Sequence, residues 1–286
     1  MKTAYKVILI AMSGVRVYNQ QLFNTGLTLP GFVDRSRVIA SLPSLGLLSL
    51  AAHTPENWEV VYKELDTYSE DDITEILNEK PNIIAISSLT ARIYETYKLS
   101  AIFRKNGITV VIGGLHVSVL PDEAKEHADV IVQGEGEICW EALLRDYENN
   151  SLKPLYSSLT NPKYVFHLKD SKVPRYDLLN ISNYNRLTIQ TTRGCPHQCN
   201  FCAASKTISS YKKKPIKLIK KDMQLKGDVC YFSSDTDDTR YPPSPKSCQL
   251  CFIIAPKSQL LHSSARAIGL APRCTQRYCK TKGEAP

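Results

Sequence analysis

The chain has 286 residues, with 43% hydrophobic and 22% charged side chains and a formal net charge of +8. This composition is typical of a folded globular protein, and no apolar run approaches the roughly 20 residues that a membrane-spanning helix needs. The opening apolar run is six residues long, which is too short for a signal-peptide core. We therefore expect a cytoplasmic protein without a membrane span.

The net charge is divided unevenly along the chain. Residues 1–150 contain 13 basic and 20 acidic side chains, whereas the remainder contains 23 basic and 8 acidic ones. Such asymmetry predicts two units with different partners. The basic run "YKKKPIKLIKKD" (211–222) is interpreted as a solvated helix face, and we expect no nucleic-acid partner.

The first unit shows five short apolar runs rich in β-branched residues. Runs of this kind are typical of strands buried on both faces of a sheet. The predicted strands are residues 5–12, 58–63, 82–87, 109–114 and 128–134.

Stretches with helical spacing alternate with these strands. The predicted helices are residues 43–54, 70–80, 93–107, 122–128 and 137–149. Strands alternating with helices predict an α/β fold with a doubly wound parallel sheet, Rossmann- or flavodoxin-like, over residues 1–150.

Ligands of such sheets bind beyond the carboxyl ends of the strands. Hydroxyls, amides and glycines follow three predicted strands there, and glycine lets a backbone approach a ligand closely. The candidate ligand-binding residues are Ser88, Leu89, Thr90, Gly113, Gly114, Gly134, Glu135, Gly136 and Glu137. His116, in the same region, is interpreted as a solvated loop residue.

Residues 151–185 contain prolines and serines without a sustained period, which predicts an interdomain linker. A new strand is predicted at 186–194, and it opens a second unit at 186–226. From residue 227 the chain contains five cysteines and six prolines. This tail, 227–286, is predicted to be poorly ordered, with residues 228–238 as a candidate strand, and its composition suggests a foreign or out-of-frame ending.

Three cysteines follow the new strand, at Cys195, Cys199 and Cys202. A structural zinc site needs four ligands, and cytoplasmic thiols rarely form disulfides. A 4Fe–4S cluster is held by cysteine thiolates, and three closely spaced thiols could hold three of its irons and leave the fourth open. Zinc remains an alternative on the spacing alone.

The segment "CPHQCNFC" (195–202) resembles the Cys-x3-Cys-x-aromatic-Cys signature of radical S-adenosylmethionine (radical SAM) enzymes. Residues 1–226 resemble the group that carries an N-terminal cobalamin-binding domain. The matching stretches are "SSLTARIYETYKLSAIFRKNGITVVIGGLHVSVLPDEAKEHADVIVQGEGE", "VPRYDLL" and "TTRGCPHQCNFCAASKTISSYKKKPI".

The resemblance implies that Cys195, Cys199 and Cys202 bind a 4Fe–4S cluster whose open iron chelates S-adenosylmethionine, with Phe201 beside the adenine. It implies cobalamin as a further cofactor, a reductant such as flavodoxin or ferredoxin, and a small-molecule substrate. The implied activity is radical chemistry such as methyl transfer. The alternative is a non-catalytic corrinoid- or nucleotide-binding module with a zinc or vacant cysteine site.

The sequence departs from the family in two places. The segment after the first strand, "AMSGVRVYNQ", lacks the histidine that replaces the lower cobalt ligand in some cobalamin domains. The catalytic partial (βα) barrel of the family would need about 150–180 residues by comparison with an eight-unit barrel. Only 100 residues follow position 186. We therefore expect an incomplete barrel and impaired turnover.

Overall fold

The computed structural model describes residues 5–12, 43–65, 67–181, 187–194, 211–222, 231–233 and 251–255. Six strands form one parallel sheet in the order β2-β1-β3-β4-β5-β6. Their bounds are β1 Tyr5–Met12, β2 Trp58–Glu64, β3 Ile83–Ser88, β4 Thr109–Gly113, β5 Val130–Gln133 and β6 Leu155–Ser157. The five predicted strands are confirmed, and the strand order is that of flavodoxin-like sheets.

Helices connect these strands. They are α1 Leu45–His53, α2 Glu70–Asn78, α3 Ile93–Lys105, α4 Leu115–Val119, α5 Pro121–Glu126 and α6 Gly136–Glu148. The short α4 was not predicted, because five residues are too few for a helical period to show. No helix among the described residues has the length and apolar content to cross a bilayer.

Both faces of the sheet are buried because alternate strand residues point in opposite directions. On one face, Ile8, Ile84 and Ile112 pack in a core that also contains Phe103 of α3. The other face packs against α1 and α6. Its core residues include Val7, Leu9, Ala85, Val111, Val132, Leu47, Trp140 and Leu143.

The segment predicted as an interdomain linker contributes a strand to this sheet. Within 151–185, β6 pairs with β5 in parallel register, and Tyr156 is 1% exposed in the α1–α6 core. The main-chain N–H of Ile131 donates to the carbonyl of Pro154 at 2.9 Å. The strand escaped prediction because a three-residue edge strand beside a proline has no apolar run.

The strand predicted at 186–194 divides into β7 Leu187–Gln190 and β8 Thr192–Arg193. Leu187 and Ile189 of β7 pack with Leu48 of α1 and with Tyr176, whose hydroxyl donates to the Thr188 carbonyl at 2.7 Å. These contacts attach the start of the second unit to the first.

The strand that pairs with β7 runs in the opposite direction to the one expected in a (βα) barrel. After β9 Lys212–Lys213 and α7 Ile216–Asp222, the tail contains β10 Tyr231–Ser233 and β11 Cys251–Ala255. Strand β11 pairs antiparallel with both β7 and β10, whereas neighbouring barrel strands are parallel. Antiparallel neighbours need no crossover helix. The other residues of 227–286 lie outside the described part of the chain.

Replacing Tyr156 with alanine tests whether β6 belongs to the folded core. The side chain is buried, and its hydroxyl donates to Asp146 at 2.7 Å, so its removal should lower the free energy of unfolding by about 3 kcal/mol. Urea denaturation followed by circular dichroism measures this. Val173→Ala, in the same segment at a side chain 39% exposed, should change stability by less than about 0.5 kcal/mol. Equal stability of the two variants would contradict the assignment of β6 to the core.

Candidate functional site

The carboxyl ends of β3, β4 and β5 meet at one edge of the sheet. There, a Cβ atom added to Gly114 would lie 2.8 Å from the Ser88 carbonyl oxygen, and φ at this glycine is +111°. A Cβ on Gly134, where φ is +82°, would lie 2.4 Å from Ser158 Oγ. Gly114 and Gly134 are therefore required by the packing of neighbouring loops, in addition to any ligand.

A cleft of ≈ 210 Å³ opens at this edge, between the sheet and the helices α1 and α6. Its lining is mostly apolar. It includes Gly46, Leu47, Leu50, Ala85, Ser87, Val111, Gly113, Gly114, Val132, Gly134, Gly136 and Trp140. A Cβ on Gly46 would meet no atom within 4 Å, and one on Gly113 would meet only ordinary contacts, 3.6 and 3.7 Å from Val132.

Three of the predicted ligand residues lie beside the cleft without being among its lining residues. The hydroxyl of Ser88 donates to the Leu89 carbonyl at 3.1 Å, and Thr90 begins a short 3-10 helix. The lining residues of this strand are Ala85, Ile86 and Ser87, which precede the predicted segment.

His116 is buried, which corrects its interpretation as a solvated residue. It lies in α4 with 5% exposure. Its Nδ1 is 3.3 Å from Thr90 Oγ1, and its Nε2 is 3.4 Å from Glu123 Oε1. The imidazole is thus engaged with these side chains and is not among the cleft-lining residues.

Four charged side chains, Glu135, Glu137, Arg193 and Lys212, meet at the mouth of the cleft, and we call them the charge cluster. The guanidinium of Arg193 donates to Glu135 at 3.2 Å and to both carboxylate oxygens of Glu137. The ammonium of Lys212 donates to Glu135 at 2.6 Å and to the Phe166 carbonyl at 2.8 Å. The four charges balance one another.

The charge cluster is shielded from water. The side chains of Glu135 and Glu137 are each 7% exposed, and that of Arg193 is 12% exposed. Burial by itself would raise the pKa of Glu137, but the adjacent Arg193 guanidinium outweighs it and holds the pKa below its ordinary value. For Arg193, burial works against the charge, and Glu137 with Glu135 raises its pKa above the ordinary value. Both groups are therefore charged at neutral pH.

The charge cluster also lies at the base of the cysteine loop. Strands β8 and β9 pair antiparallel, with Arg193 opposite Lys212, so they close the segment 194–211. Gly194 has φ of +73° and turns the chain into the loop. The predicted ligands Cys195, Cys199 and Cys202 and the predicted adenine neighbour Phe201 lie outside the described residues.

Within the described part of the chain, no group of three or more His, Cys, Asp or Glu side chains is arranged to hold a metal ion. Cys139 is buried in α6, and this burial raises its pKa to about 12. Cys139 is therefore a protonated core thiol.

Two of the residues at this site were missed by sequence reasoning. Arg193 was assigned only to the strand predicted at 186–194, and Lys212 to the run 211–222 that was interpreted as a solvated helix face. The structure corrects the second interpretation, because Lys212 lies in β9 and its ammonium binds the buried Glu135. No local sequence signal identifies their partners, because Glu137 lies 56 residues before Arg193 and Glu135 lies 77 residues before Lys212.

Comparison with known proteins adds independent information on this domain. Residues 36–144 match the family model described as the B12 binding domain. Over 147 residues the chain is 36% identical to bacteriochlorophyllide d C-8(2)-methyltransferase of Chlorobaculum tepidum, covering 50% of this chain and 33% of that protein. It is 25% identical over 219 residues to the cobalamin-dependent radical SAM methyltransferase TokK of Streptomyces tokunonensis, covering 66% of this chain and 30% of that protein.

The solved structure of the cobalamin-dependent S-adenosylmethionine radical enzyme OxsB shares the fold. Its TM-score is 0.54 at 15% identity, covering 77% of this chain and 31% of that one. The chain thus spans about a third of the length of these relatives. Residues 36–144 are therefore similar to B12-binding domains, and the chain is similar over part of its length to methyltransferases that include a cobalamin-dependent radical SAM enzyme.

Proposed function

We propose that this chain binds cobalamin at the carboxyl edge of its sheet and takes part in cobalamin-dependent radical SAM chemistry such as methyl transfer. The observation that carries the proposal is the position of the apolar, glycine-lined cleft of a B12-binding domain directly against the base of the cysteine loop. The proposed reaction also requires a small-molecule substrate and a reductant such as flavodoxin or ferredoxin.

The cleft fits part of a corrinoid. A corrinoid is larger than ≈ 210 Å³, so the enclosed space would take one portion of the molecule while the rest lies over the open edge. The apolar lining suits a flat, largely apolar group, and the glycines let it approach the backbone. We propose Gly113, Gly134 and Gly136 as the residues nearest the ligand.

The segment after β1 offers no histidine ligand for cobalt, because no histidine precedes His53 in the sequence. His116 is engaged with Thr90 and Glu123. We therefore propose that cobalamin binds here without a histidine ligand from the segment after β1 or from α4.

We propose that Cys195, Cys199 and Cys202 hold a 4Fe–4S cluster, as the resemblance implies. Bound there with S-adenosylmethionine, such a cluster supplies the one-electron reduction that starts radical chemistry. The part played by this chain's described residues is to fix where the loop begins and ends, through the β8–β9 pair. Relatives whose names include radical SAM chemistry favour this function over a non-catalytic module.

Narrowing the cleft should weaken cobalamin binding. Gly114→Val is unsuitable, because its Cβ would strike the Ser88 carbonyl whether or not a ligand binds. Gly113→Val places its side chain at the cleft without a strained φ. We expect the dissociation constant for hydroxocobalamin, titrated by visible absorbance, to rise about tenfold or more.

Ala101→Val is the control, because it places the same valine side chain at an exposed position of α3. Its affinity should equal that of the unmodified chain. Absence of hydroxocobalamin binding by the unmodified chain would contradict the proposed function itself.

Replacing Cys199 with alanine should abolish assembly of an iron–sulfur cluster. After anaerobic reconstitution with iron and sulfide, we expect about four irons per chain in the unmodified protein and close to none in Cys199→Ala. Circular dichroism should stay unchanged, because the first unit has its own sheet and core.

Cys139→Ala serves as the control for this experiment, since its thiol is buried in the core. It should retain the iron content of the unmodified chain. A full cluster in Cys199→Ala, or zinc in place of iron in the purified protein, would contradict the assignment of the loop.

A further inference from the structure

The charge cluster links two parts of the chain that are far apart in sequence. Glu135 and Glu137 lie after β5, at the N-cap and in the first turn of α6, and Arg193 lies 58 and 56 residues later. Arg193 and Lys212 are opposite each other at the base of the cysteine loop. Each carboxylate accepts from a basic residue of that base.

We propose that Glu135 and Glu137 are positioning residues, which hold the base of the cysteine loop in one place against the cobalamin-binding edge. This inference rests on the proposed function for the identity of the groups that the loop and the cleft would carry. The attachment itself depends only on the described side chains.

The geometry restricts both the position and the orientation of the loop base. The guanidinium of Arg193 is planar and bonds Glu137 through two nitrogens, which limits rotation as well as translation. The Arg193 guanidinium also donates to Gln190 Oε1 at 2.9 Å. Its carbon lies 5.3 Å from the centre of the Phe166 ring. A single point charge would not impose such an orientation.

Because these charged groups are buried, the ion pairs of Arg193 cannot readily be replaced by hydrogen bonds to water. With Glu135 and Glu137 removed from water, an Arg193 that moved away would leave the Glu137 carboxylate without its cation and Glu135 with Lys212 alone. Water can replace a partner at an exposed pair but not at a buried one. The loop base therefore has one strongly preferred position.

The position has a consequence for the cleft. Glu135, Glu137 and Arg193 are themselves among the residues that line it. The base of the cysteine loop is therefore held beside the cleft. In the proposed enzyme this would set the separation between the iron–sulfur cluster and cobalamin.

Amide hydrogen exchange of the chain without added cofactors tests the attachment directly. Glu137→Gln keeps the shape of the side chain and removes its charge. We expect exchange in 191–194 and 211–214 to accelerate about tenfold or more, while β1 and β3 keep their protection. Glu141→Gln, the same change one turn further along α6 in a carboxylate 43% exposed, should leave these segments unchanged.

Arg193→Lys is the second variant, and it preserves the charge while losing the planar two-nitrogen contact. It should accelerate exchange in the same segments to a smaller extent. If Glu137→Gln loses protection throughout the sheet because it fails to fold, Arg193→Lys tests the proposed attachment instead. Exchange rates equal to those of the unmodified chain in either folded variant would overturn the proposal.

A spectroscopic measurement separates positioning from simple stabilisation. The chain is reconstituted with iron and sulfide, given cob(II)alamin, and reduced, and the spin–spin interaction between the two paramagnetic centres is followed by electron paramagnetic resonance. At saturating cob(II)alamin, we expect Glu137→Gln to weaken or broaden this interaction while its iron content stays within about twofold of that of Glu141→Gln.

An unchanged spin–spin interaction in Glu137→Gln would overturn the positioning role. If the unmodified chain takes up no iron or no cobalamin, the proposed function fails. The exchange experiment, which uses neither cofactor, then still decides whether the charge cluster holds the loop base.

Discussion

The central constraint on this protein is that its parallel sheet must be covered on both faces. Strands such as Tyr5–Met12 have six consecutive buried residues, and a strand of that kind is stable only when helices pack on either side. Parallel neighbours require crossover connections, which return every strand in the same direction. All the carboxyl ends therefore meet at one edge, and the cleft, its glycines and the charge cluster are found there.

Burial of charge is the second physical feature of the site. Two carboxylates and two cations are taken out of water together, and each is satisfied by partners of the opposite sign. Buried ion pairs of this kind contribute little net stability relative to well-packed apolar residues, yet they are costly to break. Their value in such a place is geometric, because the directional bonds of Arg193 specify how the second unit begins relative to the first.

The glycines at the carboxyl edge of the sheet have two different structural roles. Gly114 and Gly134 adopt positive φ and sit where a Cβ would strike a neighbouring loop. Gly113 and Gly46 have room for a side chain, and it is their smallness that leaves the cleft open. Some glycines after the strands are thus needed for the backbone to fold, and others are needed to keep the cleft open.

The fold of the first unit was determined by its sequence, since continuous β-branched runs alternating with helical spacing admit few arrangements other than a doubly wound parallel sheet. The edge at which the ligand site would lie also follows from that pattern. The short edge strand around Tyr156 could not be predicted, because its burial comes from packing against α6 and from pairing with β5. The role of Arg193 could be decided only by the tertiary structure, because a partner 56 residues away leaves no local pattern. Local periodicity records which residues must be buried, whereas contacts between distant segments depend on how the completed layers meet.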